Sequence, residues 1–199
     1  NLMGWAHLRQ SRSQEALVAF EHSLRLCQGT GSREQESWAL NNLGVAYLRM
    51  GETEKAIDAH QASLTIRREL GLRLEEGRSL HNIAEVLVSQ GHWRQADKHL
   101  RDSESIARDI GDQIGLSYAM FTRGQWEKGQ ARLEQAMSAY RQSLALRRAI
   151  GSEALVAETH WAMSDTYRWM GDWLQAAQHA EKAAEAWREV VKPWATREE

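Results

Sequence analysis

Apolar and small residues recur at three- and four-residue spacings through almost the whole chain, and glycines interrupt this pattern at regular points. In residues 53–70, Ala56, Ala59, Ser63, Ile66 and Leu70 fall on one face of a helix. The helix formers Ala, Leu, Glu, Gln and Arg are abundant, and β-branched residues are sparse. The pattern predicts an all-α chain with helices near residues 1–10, 13–29, 32–50, 53–70, 72–90, 93–110, 112–130, 133–150, 153–170 and 173–191.

The pattern repeats with a period of 40 residues. Alanine occurs at positions 16, 56, 96, 136 and 176, glycine at 31, 71, 111 and 151, and serine at 23, 63, 103 and 143. Three independent columns in one register indicate a single helix–turn–helix unit that is copied along the chain. We therefore expect one repeat array over residues 1–191, with copies near 1–31, 32–71, 72–111, 112–151 and 152–191, followed by a tail over 192–199.

Glycine and proline mark the predicted helix ends. Gly51, Gly91 and Gly171 close first helices, because glycine adopts the left-handed backbone of a helix C-cap without steric cost. The single proline, Pro193, is expected to end the last helix.

The composition and charge of the chain argue against several classes of protein. The net charge of −2 gives no general attraction to nucleic acid, and no apolar run approaches the roughly 20 residues of a membrane span. The start of the chain lacks the basic head and apolar stretch of a secretory signal. One cysteine, Cys27, cannot form an internal disulfide. We expect a cytoplasmic protein that contacts neither nucleic acid nor membrane.

The second copy carries Leu40, Leu43, Gly44 and Tyr47 in its first helix, followed by Ala56 in its second. This spacing resembles the tetratricopeptide repeat, although the unit here has 40 residues rather than about 34 and lacks the late proline. The longer unit is similar to the Leu-Gly-Asn-type repeats of scaffold proteins and to the repeat arrays of bacterial signal-transducing regulators. The resemblance implies a right-handed superhelical solenoid of about five repeats, with the first helices lining a concave groove.

The resemblance also implies which residues face that groove, because they lie opposite the packing columns of the first helices. The candidate peptide-binding residues are Trp5, Arg9, Trp38, Asn41, Asn42, Val45, Arg49, Arg78, His81, Asn82, Glu85, Tyr118, Phe121, Thr122, Gln125, Glu158, Trp161, Asp165, Arg168 and Trp169.

These residue types suit a peptide ligand. Asn42 and Asn82 are 40 residues apart, and an asparagine amide both donates to and accepts from a peptide backbone. Arg9, Arg49 and Arg78 can hold an acidic group in bidentate geometry. The sequence therefore favours a groove that clamps a peptide backbone and is basic toward its early end.

An alternative is that part of this surface only packs against neighbouring repeats. Trp38, Tyr118 and Trp161 are large enough to cover the next helix rather than a ligand. Glu158 and Asp165 would make the late end of the groove acidic.

The fourth copy departs from the pattern. Arg123 and Glu127 stand where the second copy has Leu43 and Tyr47, and their spacing of four places them on one helix face. Either they form a buried pair, or they turn outward while Trp126 fills the gap.

Residues with catalytic potential form no recognisable set. His92 and His99 lack further ligands at metal-binding spacing, and His22 is poorly placed to activate Cys27. The pairs Arg67-Arg68 and Arg147-Arg148 lie at helix C-termini, where cations complement the helix dipole. We predict no catalytic residue, no metal and no cofactor.

The sequence thus favours a non-catalytic module that binds a peptide or protein segment. A second hypothesis is a regulatory arm of a larger signalling or transcriptional regulator, whose ligand includes other domains of its own chain. The chain does not begin with Met, and its first copy is short, which favours a piece of a longer protein. A third hypothesis is homo-oligomerisation through an uncapped N-terminal end that carries Leu2, Met3 and Trp5.

Overall fold

The structure, a computed structural model, describes the backbone of residues 12–195 and the side chains of residues 12–192. The described part is a succession of α-helices joined by short turns. They are α1 (Ser13–Thr30), α2 (Arg33–Arg49), α3 (Thr53–Glu69), α4 (Arg73–Ser89), α5 (Trp93–Asp109), α6 (Gln113–Gly129), α7 (Leu133–Ile150), α8 (Glu153–Met170) and α9 (Trp173–Ala195). The predicted all-α fold of successive helix–turn–helix repeats is confirmed.

The helix bounds follow the sequence pattern closely, apart from the last helix. The helix expected at 1–10 lies outside the described residues. The prediction that Pro193 ends the last helix is wrong, because α9 continues to Ala195. Pro193 therefore stands in the last turn of α9, where its missing N–H removes one backbone hydrogen bond.

The chain divides into two compact units, residues 1–106 and 107–199. In the first unit, α1 packs on α2, α2 on α3 and α3 on α4. In the second unit, α6 packs on α7, α7 on α8 and α8 on α9.

Turns with positive φ separate the helices, and one of them lacks glycine. Gly51, Gly91 and Gly171 have φ values of 78°, 75° and 78°. The fourth copy has Ala131 at the matching place, with φ of 59°. An L-residue with a Cβ atom pays about 1–2 kcal/mol for the left-handed region, so this turn is strained.

Serines of the 40-residue column link second helices to first helices through hydrogen bonds. The Ser63 hydroxyl donates a hydrogen bond of 2.8 Å to the carbonyl oxygen of Ser37. Ser143 donates to the carbonyl oxygen of Ser117 at the same distance. These serines are buried, so each bond satisfies a polar group inside the core while the small side chain lets the helices approach.

The structure decides between the two alternative arrangements of Arg123 and Glu127 in the fourth copy. Trp126 is only 9% exposed and fills the interior at the place where the second copy has Ala46. Glu127 is half-buried and forms an ion pair of 2.5 Å with Arg132. The Arg123 guanidinium lies 4.9 Å from the centre of the Trp126 ring. The interior is therefore filled by Trp126, and its ring is covered by cationic side chains.

Candidate functional site

In the first unit, the predicted site residues lie on α2 and α4. Their side chains range from exposed to buried. Arg49, Arg78 and Glu85 are exposed, whereas Trp38, Asn41, Val45, His81 and Asn82 are half-buried. Asn42 is only 5% exposed, so it lies inside the helix packing and not on the surface we expected. Trp5 and Arg9 lie outside the described residues.

Two asparagines join α2 to α4. The Asn82 Nδ2 atom donates a hydrogen bond of 2.9 Å to Asn41 Oδ1. This bond fixes the orientation of both amides and leaves Asn41 Nδ2 and Asn82 Oδ1 for other partners. One donor and one acceptor therefore stand next to each other on two successive first helices. We call Trp38, Asn41, Arg78 and Asn82 the first-helix surface of unit 1.

A buried arginine lies beneath this surface. Arg67 of α3 is 1% exposed. Its Nη1 atom donates to Ser79 Oγ at 2.7 Å and to the Glu75 carbonyl oxygen at 3.0 Å. A longer bond of 3.4 Å reaches Asn41 Oδ1, and the Trp38 ring centre lies 5.2 Å from the guanidinium carbon. Arg67 thus holds both Asn41 and Trp38 in place.

Positive charge exceeds negative charge around Arg67. Burial is the main cause that lowers the pKa of Arg67 to about 10; Glu75 acts to raise it, and the charge of Arg78 acts to lower it. Glu75 is shared, because it also forms a long ion pair of 3.5 Å with Arg78. Two guanidinium groups and one carboxylate therefore give this part of the surface a net positive charge.

In the second unit, the predicted residues lie on α6 and α8. The exposed members are Tyr118, Gln125, Glu158, Trp161, Arg168 and Trp169, and Asp165 is half-buried. Phe121 and Thr122 are buried instead of lining a surface. Phe121 packs within the hydrophobic core and faces the Tyr140 ring at a centroid distance of 5.6 Å. Phe121 is therefore a core residue, contrary to our expectation.

Unit 2 contains a second buried arginine at the equivalent place. Arg147 of α7 is 0% exposed, and its Nη1 atom donates to Thr159 Oγ1 at 2.9 Å and to the Leu155 carbonyl oxygen at 3.0 Å. A third bond of 2.9 Å reaches the carboxylate of Glu158. The Phe121 ring centre lies 4.2 Å from the guanidinium carbon. Here the buried charge has a carboxylate partner from its own chain.

This role of Arg67 and Arg147 was not predicted from the sequence, because an arginine near a helix C-terminus also satisfies the dipole rule. A usable signal was their separation of 80 residues, which is two repeat periods. Ser79 and Thr159 have the same separation and supply matching hydroxyl groups.

Lys128 connects α6 to α8. It forms an ion pair with Asp165, and its Nζ atom lies 5.6 Å from the centre of the Trp169 ring. The exposed tryptophan and the ion pair place an aromatic face beside opposite charges on this surface of unit 2.

In residues 12–192, His, Cys, Asp and Glu form no group of three or more that could hold a metal ion. Among the described helices, none is both long and apolar enough to cross a membrane.

Solved structures with the same fold are numerous, and three of them indicate its range. The chain matches BtubC (BKLC) from P. vanneervenii with 15% identity and a TM-score of 0.76, covering 94% of this chain and 78% of that one. It matches the Rap conjugation gene regulator of plasmid pLS20, solved with a Phr peptide, with 17% identity and a TM-score of 0.82, covering 97% and 52%. It matches aspartyl phosphate phosphatase F from Bacillus subtilis with 13% identity and a TM-score of 0.80, covering 94% and 49%. The chain thus spans about half the length of the last two proteins.

The family is established by sequence. No curated protein sequence matches the chain, but the family profile described as tetratricopeptide repeat matches it three times, over residues 1–69, 35–109 and 75–149. The three matches together cover most of the chain and overlap by roughly one repeat. With the helix–turn–helix units described above, they show that this chain belongs to the tetratricopeptide repeat family.

Proposed function

We propose that the chain is a non-catalytic interaction module, and that the first-helix surface of unit 1 binds an extended segment of another protein. The observation that carries the proposal is the hydrogen bond between Asn82 and Asn41. It holds one amide donor and one amide acceptor in fixed positions, which is the requirement for pairing with a peptide backbone of any sequence.

The surrounding side chains suit such a ligand. Trp38 is held by its contact with Arg67, so little rotamer freedom is lost when a ligand packs on its ring. Arg78 is exposed and adds positive charge beside the asparagines. Tryptophan and arginine are the residue types that most often dominate binding energy at interfaces.

The fold comparison gives support of a general kind. The Rap regulator of plasmid pLS20 has the same fold and was solved with a peptide. The likeness at 17% identity concerns the fold, so the ligand of this chain is inferred from its own side chains. The similar phosphatase fold makes the absence of catalysis part of the proposal and not a consequence of the family.

A regulatory role within a larger signalling protein is the second candidate. It is favoured by the likeness in fold to the Rap conjugation gene regulator, of which this chain spans about half the length. We also retain the cytoplasm as the proposed location, on the basis of the single free cysteine, Cys27.

The test is a display selection with random 12-residue peptides against the purified chain, followed by calorimetric titration of the selected peptides. The double variant Asn41→Ala/Asn82→Ala removes the two amides. Loss of two hydrogen bonds costs about 1–3 kcal/mol, which is roughly a tenfold to hundredfold loss of affinity.

The matched control is Gln61→Ala/Gln142→Ala, which removes two exposed amides from the second helices α3 and α7. The control should bind the selected peptides as the original chain does. Equal affinity of the asparagine variant would contradict the proposed surface, and failure to select any peptide would contradict the proposed function.

A further inference from the structure

A cleft of about 540 Å³ lies in unit 2 between the end of α7, the start of α8 and the middle of α9. Its wall includes Arg148, Val156, His160, Lys182 and Ala186. The volume is within the range of small-molecule sites. None of these residues belongs to the first-helix surface of unit 1.

The corresponding place in unit 1 is closed by an ion-pair network. Arg68 and Arg148 are 80 residues apart, as are Glu76 and Val156. The Glu76 carboxylate accepts a hydrogen bond of 2.9 Å from Arg68 and one of 2.8 Å from Arg73. Although burial acts to raise the pKa of Glu76, the hydrogen bonds from both arginines outweigh it and hold the pKa below its ordinary value. A carboxylate is therefore the natural partner of the arginine at this position.

In unit 2 the arginine is retained and the carboxylate is absent. Val156 replaces the glutamate, and the residue equivalent to Arg73 is Glu153. Arg148 instead contacts His160, with 3.3 Å between Nη2 and Nε2. Among the residues that the structure describes, Arg148 forms no ion pair within 4 Å.

The contact with Arg148 defines the state of two buried histidines. An arginine only donates hydrogen bonds, so His160 Nε2 must accept and His160 carries its proton on Nδ1. His160 Nδ1 lies 3.0 Å from His179 Nδ1 and donates to it. Both histidines are thus neutral, and the arginine's charge is met only by an uncharged ring.

Cationic side chains lie near His160 at the floor of the cleft. Burial, together with the neighbouring His179, Arg148 and Lys182, lowers the pKa of His160 to about 4. Three carboxylates, Glu153, Glu185 and Glu189, also line the cleft, and Glu189 is 3.4 Å from Lys192. The charged side chains that lower the pKa of His160 are nevertheless two cations, Arg148 and Lys182.

We propose that this cleft binds a small organic carboxylate. The ligand's carboxylate lies against Arg148 and Lys182, in the role that the Glu76 carboxylate has in unit 1. Its apolar body packs on Val156 and Ala186. Because an anion next to His160 favours the protonated imidazole, binding raises the pKa of the His160–His179 pair.

The experiment is a titration of the full chain with sodium benzoate, followed by NMR of the histidine ring signals at constant pH and ionic strength. Benzoate has one carboxylate on an apolar body, and benzamide is its neutral analogue. We expect saturable shifts of the His160 and His179 signals with benzoate, and none with benzamide. Equal shifts with both compounds, or an equally strong response to inorganic phosphate, would overturn the proposal.

The variant Val156→Glu supplies the missing carboxylate from within the chain. It should weaken benzoate binding at least tenfold. Leu174→Glu makes the same charge change at an exposed position of α9 and should leave binding intact. Arg148→Gln keeps the apolar wall and should also abolish the benzoate shifts, so the test does not depend on how well Val156→Glu folds. Undiminished binding in Arg148→Gln would refute the site.

Discussion

Gly124 of α6 lies directly against the ring of Tyr140 of α7. A Cβ atom placed on Gly124 would be 2.4 Å from Tyr140 Cε1. In unit 1, Gly44 faces His60 in the same way, and its Cβ atom would be 2.5 Å from His60 Cε1. In both units, therefore, an aromatic ring lies at the point where the first helix has no side chain.

We expect Gly124→Ala to destabilise the chain. The added methyl group must displace a ring that is buried and packed on Phe121, and overpacking of this kind costs about 1–3 kcal/mol. The change should appear as a lower midpoint of urea unfolding. Gly29→Ala is the control, because Gly29 in α1 has no atom within 4 Å of its added Cβ. Helix propensity should make the control more stable by about 0.5–1 kcal/mol, and a stabilised Gly124→Ala would contradict the close contact.

Ala131→Gly should stabilise the chain by relieving strain in the turn after α6. The left-handed conformation at φ of 59° costs alanine about 1–2 kcal/mol, whereas glycine pays about 0.5–1 kcal/mol in chain entropy. We expect a net gain of about 0.5–1 kcal/mol in the free energy of unfolding. The mirror variant Gly171→Ala, at φ of 78°, should lose a similar amount. Urea unfolding of the two variants would refute this account if both moved in the same direction.

The fold was predictable because one repeat period fixes the register of every helix. The columns of Ala56 and Ser63 identify the buried face of the second helices, and the glycines mark the turns. Ala131 shows the limit of this signal, since the turn forms there without its glycine. The packing of the repeats keeps Ala131 in the turn conformation, although alanine by itself disfavours that conformation.

The candidate surface was less predictable, because a first helix contacts neighbours on more than one side. Only a narrow strip remains for a ligand, and a shift of one residue moves a side chain from that strip into the core. Asn42 and Asn41 illustrate this shift, as the first is buried and the second bonds to Asn82. Phe121 was misplaced for the same reason, since it packs against buried Arg147.

Arg78→Glu should stabilise unit 1 by supplying Arg67 with a carboxylate. In unit 2 the equivalent position is Glu158, which bonds to Arg147 at 2.9 Å although its own side chain is 49% exposed. A half-exposed pair of this kind contributes up to about 1 kcal/mol. The new glutamate also stands three residues from Glu75, which offsets about 0.2–0.5 kcal/mol.

The reciprocal variant Glu158→Arg should destabilise unit 2, because it leaves a buried guanidinium without its carboxylate. Combining Arg78→Glu with Arg67→Met gives a double-mutant cycle that isolates the pair. A coupling energy of zero would mean that residue 78 does not reach Arg67.

His60 makes the stability of unit 1 depend on pH. Burial, with smaller contributions from Arg67 and His81, lowers the pKa of His60 to about 4. The unfolded chain takes up a proton below the ordinary pKa of 6.5, whereas the folded chain does so only near 4. Below pH 6.5 the unfolded state therefore binds more protons, and the free energy of unfolding falls as the pH falls. Between pH 7 and pH 5 the loss from this residue is about 2 kcal/mol.

His60→Tyr separates this effect from other titrating groups. The variant copies the arrangement of Tyr140 on Gly124, so it keeps a ring against Gly44 and removes the imidazole. Any packing cost is the same at both pH values, so it cancels when each protein is compared with itself. Urea unfolding at pH 7 and pH 5 should show a smaller loss for the variant than for the original chain, by about 2 kcal/mol. His160 and His179 titrate in both proteins and drop out of the comparison. If the two proteins lost the same free energy between these pH values, His60 would have to be protonated in the folded chain at pH 5, which its burial against Gly44 opposes.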